Sequence, residues 1–147
     1  MNRICLVGIF KNEHSGLEEW LEHYKAQGVD HFFLTDNGSS DEYMTVLHKY
    51  IKQGTVTLYV NATKHKQVQH YNYFLKDLFK YTWVIVVDLD EFLYARKRYN
   101  TIKEYLSSLD KNVNQVFVPW KMFGSNGLVQ QPKRVMSSFI SRNEYKN

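Results

Sequence analysis

Thr82-Trp83-Val84-Ile85-Val86-Val87-Asp88-Leu89-Asp90-Glu91-Phe92-Leu93 is the stretch on which the reading of this chain turns. Trp83 to Val87 are consecutive apolar residues rich in β-branched types, the composition of a strand buried on both faces. Three carboxylates follow at once, Asp88, Asp90 and Glu91. Desolvating unpaired carboxylates is costly, so the chain is expected to leave the sheet here, at an edge where acids can meet water or a cation. In an extended segment Asp88 and Asp90 point the same way and Glu91 the other. Two oxygen donors on one side suit Mg²⁺ or Mn²⁺ bound through one or two carboxylates plus phosphates. A solvated acidic turn after a core strand is the simpler reading of the same residues, and the rest of the chain has to decide between them.

The bulk properties narrow the class. A chain of 147 residues has the length of one domain, here read as spanning 1–147, with enough residues to bury a real core. Hydrophobic residues at 44% and charged residues at 23% exclude a disordered chain. An aromatic share of 16% favours a sheet-containing core and suits surfaces that stack on sugar or base rings. The net charge of +4 would attract phosphorylated ligands. No long basic stripe or recognisable motif points to nucleic acid. Cys5 is the single cysteine and sits in an apolar run, so no internal disulfide can form and a reducing compartment fits best. No apolar run is long enough to span a bilayer, and residues 1–10 lack signal-peptide anatomy. These features predict a soluble, cytoplasmic chain, with peripheral attachment to a membrane left open.

Taken in order, the chain alternates strand and helix. Arg3 to Phe10 reads as a buried first strand ended by Lys11-Asn12-Glu13. Ser15 and Glu18 have capping-box spacing, and Leu17, Trp20, Leu21 and Tyr24 form one apolar helical face, stopped by Gly28. Val29 to Thr35 is a second strand, ending in the turn-forming run Asp36-Asn37-Gly38-Ser39-Ser40-Asp41. Ser39 and Glu42 repeat the capping pattern before a second amphipathic helix carrying Tyr43, Val46, Leu47, Tyr50 and Ile51, stopped by Gly54. Thr55 to Val60 alternates as a third strand. A third helix is expected over roughly residues 65–80, ahead of the acidic strand. Thr101 and Glu104 open another helix, Val113 to Pro119 reads as a fifth strand, and Val135 to Ile140 as a further strand before a polar tail.

This alternation predicts an α/β fold with a mostly parallel central sheet flanked by helices. Ligands of such sheets sit beyond the carboxyl ends of the strands, near a topological switch. Three strands end in polar clusters, Lys11-Asn12-Glu13, Asp36-Asn37-Gly38-Ser39 and Asp88-Leu89-Asp90-Glu91. In a parallel sheet all three fall on one edge, and that coincidence is what raises the acidic segment above a solvated turn.

The ordered set of Lys11-Asn12-Glu13, Glu19-Trp20-Leu21-Glu22-His23, Gly28-Val29, Asp36 to Asp41, Trp83 and Asp88-Leu89-Asp90-Glu91-Phe92 resembles the family 2-like and family 92 glycosyltransferases. Gln67, Tyr71 and Asn72, then Trp120 and Phe123-Gly124, continue the resemblance, which covers roughly residues 3–127. It implies a GT-A fold that transfers a sugar from a nucleotide-diphosphate donor to a glycan, lipid-linked or other hydroxyl acceptor. It also implies Mn²⁺ or Mg²⁺ at Asp88 and Asp90, where the ion neutralises the diphosphate. Asp36 then stands where related enzymes contact base or ribose, with Asn12 and Glu13 beside it and Asp88 completing the donor side. Gln67 and Asn72 either reach the donor or form a solvated helix face. Trp120 and Phe123 either wall a sugar ring or belong to the core. Ser39 and Ser40 are expected to cap the second helix rather than touch ligand. Glu91 either pairs with Arg96 or Arg98 or takes part in the chemistry, and Arg96-Lys97-Arg98 reads as a solvated loop. None of the histidines is assigned to metal; His65 and His70, five apart, miss the spacing of a shared helix face.

An inverting transferase needs a general base for the acceptor hydroxyl. In the resembled fold it lies well downstream of the Asp-x-Asp, where this chain offers only Glu91, Glu104, Asp110 and Glu144. None stands in a recognisable motif, so the base is unidentified. C-terminal truncation, one piece of a larger enzyme, and lost activity are the three readings of that shortage. A dehalogenase-type phosphatase would open with its Asp-x-Asp, and a nucleotidyltransferase would show a Gly-rich phosphate loop; neither feature is present. The alternative that stays is a non-catalytic nucleotide-sugar or glycan-binding module of the same fold.

Overall fold

A computed structural model describes residues 2–142, so Glu144 lies outside the described residues. The chain divides into two compact units, Met1–Ser108 and Leu109–Asn147. In the first, the strands β1 (Ile4–Phe10), β2 (His31–Asp36), β3 (Val56–Val60) and β4 (Trp83–Val86) are all parallel and stand in the order β3-β2-β1-β4. The predicted α/β architecture is therefore present. The chain runs outward from β1 to β3, then returns to place β4 on the other side of β1. The switch point lies between β1 and β4, and the crevice beyond it is where an open parallel sheet receives ligands.

Helices cover both faces. The helix α1 (His14–Ala26) buries Leu17, Trp20, Leu21 and Tyr24, the face expected from their spacing, and Trp20 meets Phe32 of β2 at 5.8 Å between ring centroids. Beside it runs α2 (Met44–Lys52), with Leu47 and Tyr50 inward and the Tyr50 hydroxyl donating to the Glu22 carboxylate. On the opposite face Cys5, Val7 and Phe33 pack with Phe74. Phe74 separates two short helices, α3 (Gln67–Tyr73) and α4 (Leu75–Leu78), so the single helix expected over 65–80 is broken where this ring turns into the core. The helix α5 (Ile102–Ser107) begins as its sequence predicts, with the Thr101 hydroxyl accepting from the Glu104 amide at 3.1 Å.

Several local expectations fail for physical reasons. Neither Ser15 nor Ser39 caps a helix. The helix α1 begins one residue before Ser15, and α2 begins at Met44, neither with a side-chain cap. The Ser39 hydroxyl instead accepts from the Asn12 amide at 2.9 Å. The strand β4 is not buried on both faces. It is the last strand of the sheet, and Val84 and Val86 are 39% and 55% exposed. They register with Cys5 and Val7 and so share their face, but stand one strand beyond the cluster built on Phe74.

In the second unit, Val113 to Pro119 forms no strand. Among its described residues this unit contains no strand to accept the segment's backbone groups, and Phe117 and Val118 are exposed. Where a strand was expected near Val135 to Ile140 there is one helical turn, α6 (Val135–Ser138), with the Phe139 amide donating to the Val135 carbonyl at 2.9 Å.

Candidate functional site

The acidic segment leaves β4 as a turn. The Glu91 amide donates to the Asp88 carbonyl at 3.1 Å, and the Glu91 carboxylate folds back to accept from the Asp88 amide at 3.2 Å. The strand alternation predicted through Glu91 therefore stops at Asp88, and among the described residues Glu91 forms no ion pair with Arg96 or Arg98. Leu89 is buried between two exposed aspartates. It fits because residue 8 is glycine: a Cβ there would stand 3.0 Å from the Leu89 Cδ1.

The backbone of this turn is held from α1. The Trp20 indole N–H is shared between the carbonyls of Asp88 and Glu91, each at 3.1 Å. The Tyr24 hydroxyl donates to the Glu91 carbonyl and accepts from the Leu93 amide, both at 3.0 Å. The His23 Nε2 lies 2.6 Å from the Leu93 carbonyl. Burial pushes the Tyr24 phenol well above its usual range, so its hydroxyl keeps the proton it donates. Among the described residues the Asp88 and Asp90 carboxylates have no protein hydrogen-bond partner, and no group of three or more His, Cys, Asp or Glu side chains is gathered to hold a metal ion.

A cleft of about 270 Å³ opens beside Asp88. It is lined by Ile9 of β1, Asn37 beyond β2, Thr63, His65 and Lys66, and Gln67 and His70 of α3. The Asn37 amide nitrogen donates to the carbonyls of Asn61 at 2.9 Å and Thr63 at 3.1 Å, and the His70 Nε2 lies 3.1 Å from the same Thr63 carbonyl. These bonds tie the strap before α3 to the end of β2. His65 has a left-handed backbone, φ 57°, a strain of the kind that gathers at functional sites.

Asp88 and Asp90 meet different neighbours. The charges of Asp88 and Glu91 add to burial in raising the Tyr71 phenol above its usual range. Burial, then the charges of Asp90 and Asp41, push the Glu13 carboxyl upward. Glu13 is the residue that precedes α1.

The predicted site residues are placed differently. Asp88 and Gln67 line the cleft, and the Gln67 amide also donates to the Tyr71 hydroxyl at 3.1 Å. Glu13 and Asn12 lie along the same carboxyl edge. Asn12, φ 58°, uses its carbonyl oxygen to accept from the Ser40 amide at 2.8 Å. Asp36 is buried with both carboxylate oxygens engaged, one by the Ser39 amide at 2.8 Å and one by the Tyr43 hydroxyl at 3.1 Å. Asn72 is exposed on α3 and does not line the cleft. Trp120 and Phe123 belong to the second unit and are exposed, so neither is core there. Asn37, Thr63, His65, Lys66 and His70 were not singled out as site residues. His65 precedes the helix, which begins at Gln67, so its five-residue distance from His70 is not a helical spacing. The grip of Trp20 and Tyr24 was hidden because both also satisfy the apolar face of α1.

The family model that matches spans residues 3–147 and is that of glycosyltransferase family 92. The chain belongs to glycosyltransferase family 92. A family 92 protein of Ricinus communis is 25% identical over 136 residues, covering 89% of this chain and 24% of that protein. One of Oryza sativa subsp. japonica is 25% identical over 135 residues, covering 89% and 23%. The family 92 chain thus spans about a quarter of the length of these relatives. Among solved structures, S. aureus TarS residues 1–349 matches with a TM-score of 0.52 at 19% identity, over 82% of this chain and 39% of that one. The same protein in complex with UDP matches at 0.51. At that identity the likeness concerns the fold. Among the described residues no helix is long and apolar enough to cross a membrane.

Proposed function

We propose that this chain carries the donor-binding part of a metal-dependent glycosyltransferase of the GT-A type, moving a sugar from a nucleotide-diphosphate donor to a glycan, lipid-linked or other hydroxyl acceptor. The observation that carries the reading is the acidic turn. The main-chain groups of Asp88 and Glu91 at its two ends are satisfied, its two aspartates are without protein hydrogen-bond partners among the described residues, and it stands beside a cleft bearing Lys66 and two histidines. Asp88 and Asp90 would hold Mn²⁺ or Mg²⁺, with donor phosphates completing a shell that two carboxylates leave open. When bound, the ion offsets charge growing on the leaving diphosphate. Lys66 and His65 supply donors toward the same phosphates, and Gln67 adds an amide. Asn12, Glu13 and Asn72 complete the proposed donor side. Asp36 acts on the nucleotide by shaping the loop from Asn37 to Ser40. Trp120 and Phe123 are proposed to face the sugar or acceptor. The complex of the TarS fold neighbour with UDP supports a uridine nucleotide as the first ligand to try.

A second reading, a binding module without chemistry, is favoured by the described acids after Asp90. The Glu91 carboxylate is turned onto the Asp88 amide, Glu104 accepts from the Asn100 amide at 2.8 Å, and Asp110 accepts from the Asn112 amide at 2.8 Å. None lines the cleft. Thermal melting with nucleoside diphosphates and nucleotide sugars, with and without Mn²⁺, tests both readings. Ligand at a hundred times its Kd stabilises by about 2.7 kcal/mol, and Asp88→Ala and Asp90→Ala should each abolish the metal-dependent part while leaving the fold intact. An unchanged shift in both variants removes the assignment. Hydrolysis of the nucleotide sugar in the same samples separates enzyme from binder.

A further inference from the structure

We propose that Trp20 and Tyr24 are positioning residues of this site: they set the backbone of the acidic turn so that the Asp88 and Asp90 carboxylates, not main-chain groups, are what it presents to a ligand. The proposal rests on the donor-site reading above. Both side chains are fully buried, and a phenylalanine at either position would supply apolar contact alone. What phenylalanine lacks is the polar end, and in each case that end is aimed at the turn.

Sheet support is nearly exhausted where the turn begins. The paired register of β4 ends at Val86, followed only by the Val87 amide to the Val7 carbonyl at 3.4 Å. From Asp88 to Leu93 the backbone depends on its own closing bonds, on Leu89 seated over Gly8, and on α1. The Trp20 N–H bridges the carbonyls at the two ends of the turn, which fixes its width. The Tyr24 hydroxyl passes the constraint onward by joining the Glu91 carbonyl to the Leu93 amide. With the carbonyls of Asp88 and Glu91 satisfied by protein, neither has reason to rotate toward a cation, and the exposed carboxylates stand on a backbone already fixed. Such preorganisation of supporting groups keeps binding geometry within fractions of an ångström.

Trp20→Phe and Tyr24→Phe test this in the 147-residue chain, with Tyr50→Phe as a control that removes a hydroxyl bond between α1 and α2 and none to the turn. Affinity for UDP with Mn²⁺ is measured by calorimetry well below each melting temperature, and amide exchange is followed by mass spectrometry. The expected result is a rise of tenfold or more in Kd for Trp20→Phe and Tyr24→Phe but not Tyr50→Phe. Exchange over residues 88–93 should accelerate by tenfold or more in Tyr24→Phe, while β1 to β3 stay protected. Wild-type affinity in both turn variants, with faster exchange, reduces the contacts to a structural clasp and overturns the proposal alone. A wild-type chain that binds no UDP with Mn²⁺ removes the donor-site reading, and the proposal with it.

Discussion

Asp36→Ala isolates what the carboxylate at the end of β2 contributes. Asp36 is 3% exposed, and its oxygens accept from the Ser39 amide at 2.8 Å and the Tyr43 hydroxyl at 3.1 Å. Hydrogen bonds to a charged group contribute about 1.5–3 kcal/mol each, and leaving a buried donor unpaired adds to the loss. Tyr43 is only half-buried, so its bond belongs at the low end, and removing the carboxylate also relieves the cost of burying a charge. The net expectation is a loss of roughly 2–4 kcal/mol, read by urea unfolding followed by circular dichroism. Asp36→Asn keeps an acceptor for Ser39, and its amide can donate to the Tyr43 hydroxyl oxygen, so it should lose about 1 kcal/mol. In a double-variant cycle with Tyr43→Phe, the losses should fall short of additivity by about 1 kcal/mol. An Asp36→Ala protein within about 0.5 kcal/mol of wild type would refute the argument that this carboxylate builds the loop.

Two other outcomes follow from the geometry. Burial pushes both His23 and His31 below the ordinary histidine range, so the unfolded chain binds more protons once the pH drops below about 6.5. Stability should be full above that pH and decline toward pH 5, with His31→Gln flattening the profile; a melting temperature that rises over this interval contradicts the sign. Gly28 ends α1 with φ 91°, and a Cβ there would stand 2.5 Å from the Lys103 Cβ. Gly28→Ala should therefore lose about 1–3 kcal/mol in chemical denaturation, and a loss below about 0.5 kcal/mol would show that α5 yields freely.

What could be read from the residues was what is local. The 3.6-residue spacing on α1, the alternation of β3 and the Thr101 cap each encode their own structure within a few positions. The acidic turn was visible because three carboxylates cannot extend a buried strand. Strand order was not visible. The composition of Trp83 to Val87 says apolar, whereas its half-exposure depends on which strands lie beside it. The break in the third helix depends on Phe74 reaching Phe33, a contact made only after folding. Ser15 and Ser39 had the spacing of caps, but long-range bonds decided their neighbourhood: the Asp41 carboxylate accepts from the His14 amide at 2.8 Å, and Ser39 is taken by Asn12. Lys66, His65 and His70 reach the cleft through a strap fixed by Asn37, a residue that on its own reads as a turn former.

The most direct test of the account is an anomalous-scattering crystal structure of the chain grown with Mn²⁺ and UDP. One Mn²⁺ is expected at about 2.1 Å from carboxylate oxygens of both Asp88 and Asp90, with the diphosphate lying on the Lys66 side of the cleft. UDP bound elsewhere, or a manganese peak that touches neither aspartate, would contradict it.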